Sequence, residues 1–367
     1  MNIGRIVVRG TNWVGDAMMT IPALRALRRL LPKARITLAT SSWAQGLFAE
    51  ADFLDDFLIQ DRQGLWSFID QVQRWRRHKF DLAVVFPNSF GAALIPAAAR
   101  VPIRVGYATD GRKLLLTSAL PLPEWRSSKH EIFYYLNIVA ELERLLTGNQ
   151  TIDNQEPDFT LEVSEARQNQ GRALLRAQGC DIKYPLIALC PGSINSRAKR
   201  WPAERYAALA DSLIENLQAE ILLIGSREEV DVSLAVSRQM RHQPVMLTGK
   251  TDLAQAVDVL GNVDLLVTND TGPAHIASAL GRSTLVIFGP TNPLTTRPFS
   301  SSGEIVRHPP DCAPCLLRDC PIDHRCMTAI SPEEVFARAQ VMLERTMSDK
   351  LQFVASGNVV AANGTTS

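Results

Sequence analysis

Three short stretches combine residue types that could carry out chemistry, each where an apolar run gives way to a helix start. The first is Arg9-Gly10-Thr11-Asn12-Trp13-Val14-Gly15-Asp16. Its glycines have the G-x4-G spacing of a phosphate-binding loop, but Asp16 and Ala17 stand where such a loop needs Lys and Ser/Thr. A carboxylate there repels phosphate. It suits the removal of a proton from a hydroxyl, and equally the start of its own helix, which the dipole favours. The second stretch runs from Cys190 to Pro202, a Gly-Ser turn followed by the cations Arg197, Lys199 and Arg200. Such a loop over the carboxyl edge of a sheet would neutralise a diphosphate and the charge growing on a leaving group, or it is an exposed basic loop. The third is Asn269-Asp270-Thr271-Gly272-Pro273-Ala274-His275, with proline suited to the first helical position. Unpaired amides and dipole make such a helix start an anion site; the alternative is a capped turn without ligand. His275 and the later turn Gly289-Pro290-Thr291 are expected on the same carboxyl edge.

Other residues are less specific. Glu228 and Glu229 follow the Gly225-Ser226-Arg227 turn and could accept hydrogen bonds from ribose or sugar hydroxyls, or favour the next helix start. Between Arg62 and Lys129 there are eleven Lys/Arg against four Asp/Glu, which points to an anionic partner or to a solvated face. Cys312, Cys315, Cys320 and Cys326 form a C-x2-C-x4-C-x5-C run that could hold zinc or an iron–sulfur cluster, although the later spacings fit no standard pattern.

These residues need parallel strands that deliver loops to one edge. The chain alternates apolar runs and amphipathic segments: strands at 6–9, 36–39 and 81–86, with helices at 17–31, 65–77 and 131–145. The pattern restarts with strands at 186–190, 220–224 and 245–247, helices at 203–216, 229–240 and 253–261, and a strand–helix–strand unit at 263–291. Asp81-Leu-Ala-Val-Val-Phe-Pro-Asn-Ser rhymes with Asp264-Leu-Leu-Val-Thr-Asn-Asp-Thr-Gly. The pattern implies an α/β chain of two doubly wound, Rossmann-like parallel-sheet domains facing across a cleft. The polar stretch 147–158 lies near the boundary, giving domains at 1–160 and 161–345, with a loose tail at 346–367.

With 367 residues, 46% hydrophobic and 21% charged, the chain can fill two cores. Its net charge of +1 gives no general bias towards nucleic acid. The absence of an 18-residue apolar run and an opening directly on a strand lead to the expectation of a cytoplasmic protein. No G-x-G-x-x-G follows the first strand, which disfavours a dinucleotide-dependent dehydrogenase.

Taken in order, the Gly15-Asp16 turn, the Pro-Gly-Ser to Lys-Arg-Trp-Pro loop and Asn-Asp-Thr-Gly-Pro-x-His resemble the family 9 glycosyltransferases, from residue 3 to about 345. These are the heptosyltransferases of the lipopolysaccharide inner core. Gly10 to Asp16, Phe86-Pro-Asn-Ser-Phe90 and the cysteine-rich 312–326 are most similar to members that add the second heptose to the first. The resemblance implies a GT-B fold, with acceptor on the N-terminal side, ADP-heptose on the C-terminal side, no cofactor or catalytic metal, and inversion in one displacement. By the same resemblance Asp16 is the general base. Ser193, Arg197, Lys199, Glu228 or Glu229, Asp270, Thr271, Gly272, Pro273 and His275 serve the donor, Asp270 organising the turn or touching the heptose. Asn12, Asn88, Ser89, Arg112, Lys113, Lys129 and His130 would meet an anionic core acceptor. A lipid-borne acceptor implies work at the inner membrane face, where Arg74-Trp-Arg-Arg-His-Lys79 could meet anionic lipid or simply end a helix. Three alternatives remain: a family 9 heptosyltransferase with another acceptor, a GT-B sugar-nucleotide epimerase, or a non-catalytic nucleotide-sugar binding protein.

Overall fold

The computed structural model describes residues 3–61 and 64–362. The chain divides into two compact units. One comprises residues 1–162 with Leu294–Thr296, the other 163–293 with 297–367.

In the first unit, strands β1 (Arg5–Arg9), β2 (Arg35–Thr40), β3 (Asp56–Ile59), β4 (Leu82–Val85), β5 (Ile103–Tyr107) and β6 (Ser118–Leu120) form a sheet in the order β3-β2-β1-β4-β5-β6. Every pairing is parallel. Central strands of such a sheet are covered on both faces and so read as apolar runs rather than alternations. Accordingly Ile6, Val7 and Val8 are completely buried, with Val7 in register with Thr37 on one side and Ala83 on the other. The connecting helices are α1 (Val14–Met19), α2 (Ile21–Leu30), α3 (Ser42–Leu47), α4 (Leu65–His78), α5 (Phe90–Ala98) and α6 (Glu131–Thr147). The single helix expected over 17–31 is thus two. Pro22 has no N–H to donate and its ring crowds the carbonyl four residues back, so the chain breaks at Thr20, whose hydroxyl donates to the Ala17 carbonyl at 2.6 Å.

The second unit repeats the plan. Strands β7 (Leu186–Cys190), β8 (Glu220–Leu223), β9 (Val245–Met246), β10 (Leu265–Asn269), β11 (Ser283–Phe288) and β12 (Gly303–Arg307) lie in the order β12-β11-β10-β7-β8-β9, again all parallel. Its helices include α7 (Glu165–Ala177), α8 (Ala203–Leu217), α9 (Val230–Ser237), α10 (Leu253–Leu260) and α11 (Gly272–Ala279). After α12 (Pro293–Thr296) and α13 (Arg325–Thr328), the long α14 (Pro332–Ala362) closes the chain. Ile187, Leu189, Val267, Leu285 and Ile287 of the sheet pack with Leu209, Leu213, Val335 and Met342 into one apolar core.

The rhyme between the halves has a physical basis. Asp81, just before β4, accepts hydrogen bonds from the Gly4 and Arg5 amides, both at 2.8 Å; Asp264, just before β10, accepts one from Leu186 at 2.8 Å. In each unit an aspartate leading into the second central strand ties down the start of the first. The tail expected from 346 is corrected over its first part. The Thr346 and Ser283 hydroxyls are hydrogen-bonded at 2.7 Å, Lys350 pairs with Asp264, and α14 continues to Ala362. Residues 363–367 lie outside the described residues. Among the described residues no helix is long and apolar enough to cross a membrane. The cations of 74–79 are partly engaged at the end of α4: Arg74 pairs with Asp70 at 2.8 Å and Arg76 donates to the Ala98 carbonyl at 2.7 Å.

Candidate active site

Chain order reverses between β1 and β4 in the first unit and between β7 and β10 in the second. Loops leaving neighbouring strands in opposite directions open a crevice at the carboxyl edge, the usual place for ligands in open α/β sheets. All three chemistry-bearing stretches leave these four strands.

In the first unit the turn after β1 delivers Asn12, exposed, and Asp16, half-buried in the first turn of α1. Trp13 holds the N-cap position without a side-chain capping bond, so Asp16 does not occupy the cap itself. A polar group from α6 surrounds it electrostatically. Glu131, buried, forms a bidentate pair with Arg126, and burial raises its pKa above the ordinary range despite that cation, with the charge of Asp16 adding to the rise. Burial also pushes the Tyr135 phenol well above its usual value, again helped by Asp16.

The loop after β4 is held from three sides. Tyr134 donates its hydroxyl to Asn88 Oδ1 at 2.9 Å, Thr109 donates to the Asn88 carbonyl at 2.8 Å, and Arg112 donates to the carbonyls of Pro87 and Tyr107. Arg126 lies 4.0 Å over the Tyr134 ring, a cation–π contact that fixes this support. Ser89 caps α5 by accepting the Ala92 amide.

Two expected acceptor anchors are buried. Arg112 is fully buried; its Nε and Nη1 donate to backbone carbonyls, while Nη2 has no hydrogen-bond partner among the described residues. His130 is buried at the N-cap of α6, where Nδ1 accepts the Ile132 amide at 3.2 Å, so it serves the helix start. Lys113 and Lys129 remain exposed, the latter 5.1 Å from the Trp125 ring.

In the second unit Asp270 is 5% exposed and receives Lys199 Nζ at 2.8 Å on Oδ2 and 3.2 Å on its carbonyl. The Thr291 hydroxyl donates to the same carboxylate oxygen at 2.8 Å. Asp270 therefore fastens the basic loop, the turn before α11 and the 289–291 turn to one another. An ammonium has three donors, and two meet Asp270, leaving one for an anion. Thr271, Gly272 and Pro273 open α11 and are half-buried, whereas His275 is buried on that helix. Ser193 is also buried, and its carbonyl accepts Arg200 at 2.9 and 3.2 Å.

Arg197 reaches towards a neighbouring segment. It is largely exposed and pairs with Asp319 at 2.6 Å, on the cysteine-rich segment. That segment braces the basic loop. Ser196 donates to the Leu317 carbonyl at 3.0 Å, Ala198 to Arg318 at 2.9 Å, and the His324 ring meets the Ala198 carbonyl at 2.6 Å. Cys326 lies buried with its thiol pushed up to about 11, first by burial and then by Cys320, Cys315 and Cys312. Among the described residues no three His, Cys, Asp or Glu side chains are placed to hold a metal ion.

The two glutamates are placed differently. Glu229 is buried, accepts the Ser226 amide at 2.8 Å and lies where a Cβ on Gly192 would overlap its carboxylate, so it shapes the turn under the basic loop. Glu228 is exposed, and backbone and Ser226 hydrogen bonding holds its pKa below the ordinary range.

Residues 70–325 match glycosyltransferase family 9 (heptosyltransferase). The chain belongs to that family. Its relatives include lipooligosaccharide heptosyltransferase 2 of Haemophilus influenzae, 30% identical over 82% of this chain and 88% of that protein. Lipopolysaccharide heptosyltransferase 2 of Escherichia coli is 28% identical over 83% and 88%. The structure of E. coli ADP-heptose lps heptosyltransferase II superposes with a TM-score of 0.79 at 25% identity, over 93% of this chain and 99% of that one. The two six-stranded parallel sheets with flanking helices are the GT-B fold of these enzymes.

Sequence reasoning did not foresee how one residue organises the second unit of this family 9 chain. Asn269 is fully buried at the end of β10; its Oδ1 accepts Trp201 N–H at 3.0 Å and the Tyr206 hydroxyl at 3.2 Å. Its Nδ2 donates to the Pro191 and Gly192 carbonyls at 2.8 and 3.1 Å. One side chain thus joins β10 to both ends of the basic loop. Asn269→Ala leaves several buried groups unpaired at about 1–3 kcal/mol each, and is expected to lower the melting temperature by several degrees and weaken ADP-heptose binding. A variant melting and binding like the wild type would deny Asn269 this role.

Proposed function

We propose that the chain is an inverting glycosyltransferase that moves L-glycero-D-manno-heptose from ADP-heptose to the first heptose of the lipopolysaccharide inner core. The observation that carries this reading is the likeness to heptosyltransferase 2 proteins along most of the chain. The first unit takes the acceptor, through Asn12, Asn88 and Ser89 with Lys113 and Lys129 at its rim. The second takes the donor, through Lys199, Thr271, Gly272, Pro273 and Glu228.

In the proposed reaction Asp16 removes the proton from the acceptor hydroxyl as its oxygen forms a bond to the anomeric carbon of the heptose. The bond from that carbon to the diphosphate breaks, and ADP leaves with the electron pair. The third donor of Lys199 and the start of α11 bear the charge that develops on the leaving oxygen. The substrates supply every atom exchanged, so the step uses no cofactor. A lipid-borne acceptor places the enzyme in the cytoplasm, in peripheral contact with the inner membrane face.

The test is the stereochemistry of the product. NMR of the new linkage should show the anomeric configuration opposite to the donor's, and ADP-heptose incubated alone should return unchanged. A retained configuration contradicts single displacement, and remodelling of the donor without acceptor points to an epimerase.

A further inference from the structure

Helices α4 and α5 each follow one strand of the first sheet and lead into the next parallel strand, so both run from the carboxyl edge back to the amino edge, in contact with one another. Their inward faces share a core, in which Val72 and Trp75 of α4 pack with Ile95 of α5. The outward faces are unusual for a surface layer. At the start of α4, Trp66 is 83% and Leu65 70% exposed, and Ile69 is exposed one turn further on. All nine residues of α5 are apolar, including Phe90 and Gly91, which are exposed, and Leu94 and Ala97, which are half-buried. A helix that is apolar all round is normally covered, and large exposed apolar patches mark interaction sites.

Charge is sorted to the other end of the same layer. Residues 65–79 and 90–100 contain five Lys/Arg against one acid. That acid, Asp70, pairs with Arg74 at 2.8 Å. Arg76, Arg77 and Lys79 at the end of α4 are exposed, as is Arg100 just after α5. Arg76 also donates to the Ala98 carbonyl at 2.7 Å, which ties the two cationic ends together. An apolar plate bordered by cations matches the surface of a lipid bilayer, where Trp and Leu enter the acyl boundary and Lys and Arg meet anionic headgroups. A second copy packed through the same face would offer these cations only Asp70, which already has its partner.

We propose that the outer face of α4 and α5 docks the enzyme on an anionic phospholipid bilayer, with Leu65 and Trp66 entering the interface and Arg77 and Lys79 lying against headgroup phosphates. The inference rests on the peripheral membrane contact of the proposed function and names the surface that makes it. Both helices start at the carboxyl edge of the sheet, the edge that carries Asp16, so docking holds that edge within reach of a lipid-borne acceptor.

The experiment floats the full chain with vesicles of phosphatidylethanolamine and phosphatidylglycerol, or of phosphatidylcholine alone. Wild type should bind the first about tenfold or more tightly than the second, with affinity falling as salt rises. Trp66→Ser, and Arg77→Gln combined with Lys79→Gln, should each weaken binding to the anionic vesicles by about tenfold or more, the second also flattening the salt dependence. Brominated acyl chains should quench the fluorescence of wild type more than that of Trp66→Phe. All these substitutions alter exposed side chains. Unchanged melting, and unchanged transfer to a delipidated, water-soluble acceptor, should accompany reduced transfer to the same acceptor embedded in vesicles. Variants that bind anionic vesicles like wild type, a wild type that does not prefer them, or a dimer that Trp66→Ser dissociates would overturn the proposal. Failure of wild type to transfer heptose to either acceptor would overturn the functional reading alone, because vesicle binding is measured without transfer.

Discussion

Asp16→Asn is expected to lower kcat by about 100-fold or more while ADP-heptose binds as to the wild type, because an amide cannot take the acceptor proton. The substitution is nearly isosteric, and Trp13, not Asp16, holds the N-cap of α1. Loss of a carboxylate from the first turn of α1, which is half-buried, costs about 0.3–2 kcal/mol, so stability should change only modestly. A large fall in rate with little change in melting therefore separates a base from a helix-start residue. The environment adds a second reading. The charge of Asp16 contributes to the raised pKa of Glu131, so in Asp16→Asn that contribution disappears and Glu131 should titrate closer to its ordinary range. Turnover unchanged in the variant would remove Asp16 from the mechanism.

Lys199→Ala is expected to weaken ADP-heptose binding by about 10- to 100-fold and to lower kcat as well, since in the proposed reaction the ammonium meets the diphosphate before and during bond cleavage. The structure gives this a second cause. Lys199 is the cation paired with buried Asp270, and removing one partner leaves a buried charge at a cost of about 3–5 kcal/mol. The bare carboxylate, still held by Thr291, would then repel diphosphate at the start of α11. Lys199→Ala combined with Asp270→Asn removes that repulsion, and should regain stability and part of the donor affinity without regaining the rate. Donor affinity unaffected by Lys199→Ala would mean that the loop is no phosphate site.

Much of the architecture could be read from the chain because central parallel strands are buried on both faces and appear as apolar runs flanked by Gly, Pro and small residues. The turns after β1, β7 and β10 were located in this way, each at the carboxyl edge where the sheet order reverses. Strands β3, β5, β6 and β12 escaped, β6 having only three residues and β3 beginning on Asp56, too short and mixed to show a period. The break at Thr20 had a local signal in Pro22, outweighed by the continuous apolar stripe of 17–31.

The burial of Arg112 and His130 was not legible in the sequence, for one reason. Arg112 and His130 lie in a basic stretch, and composition places such stretches on the surface; only the tertiary fold inserts Arg112 beneath the 87–89 loop. One sequence feature fits that insertion. A Cβ at Gly106 would come within 2.9 Å of the Val85 carbonyl and 3.4 Å of the Arg112 guanidinium, so glycine there makes room. Glu229 and Glu228 were indistinguishable by spacing, and the turn geometry alone buries one and exposes the other. Asn269 looked like part of a helix-start signature, while its four hydrogen bonds run to residues distant in sequence that no local pattern connects.

The most direct measurement is transfer from ADP-heptose to two purified core acceptors, one with no heptose and one with a single heptose. ADP release and a new heptosyl linkage with the mono-heptosylated acceptor alone is the predicted result. Transfer to the heptose-free acceptor, or to neither while ADP-heptose still binds tightly, would contradict the assignment of the acceptor.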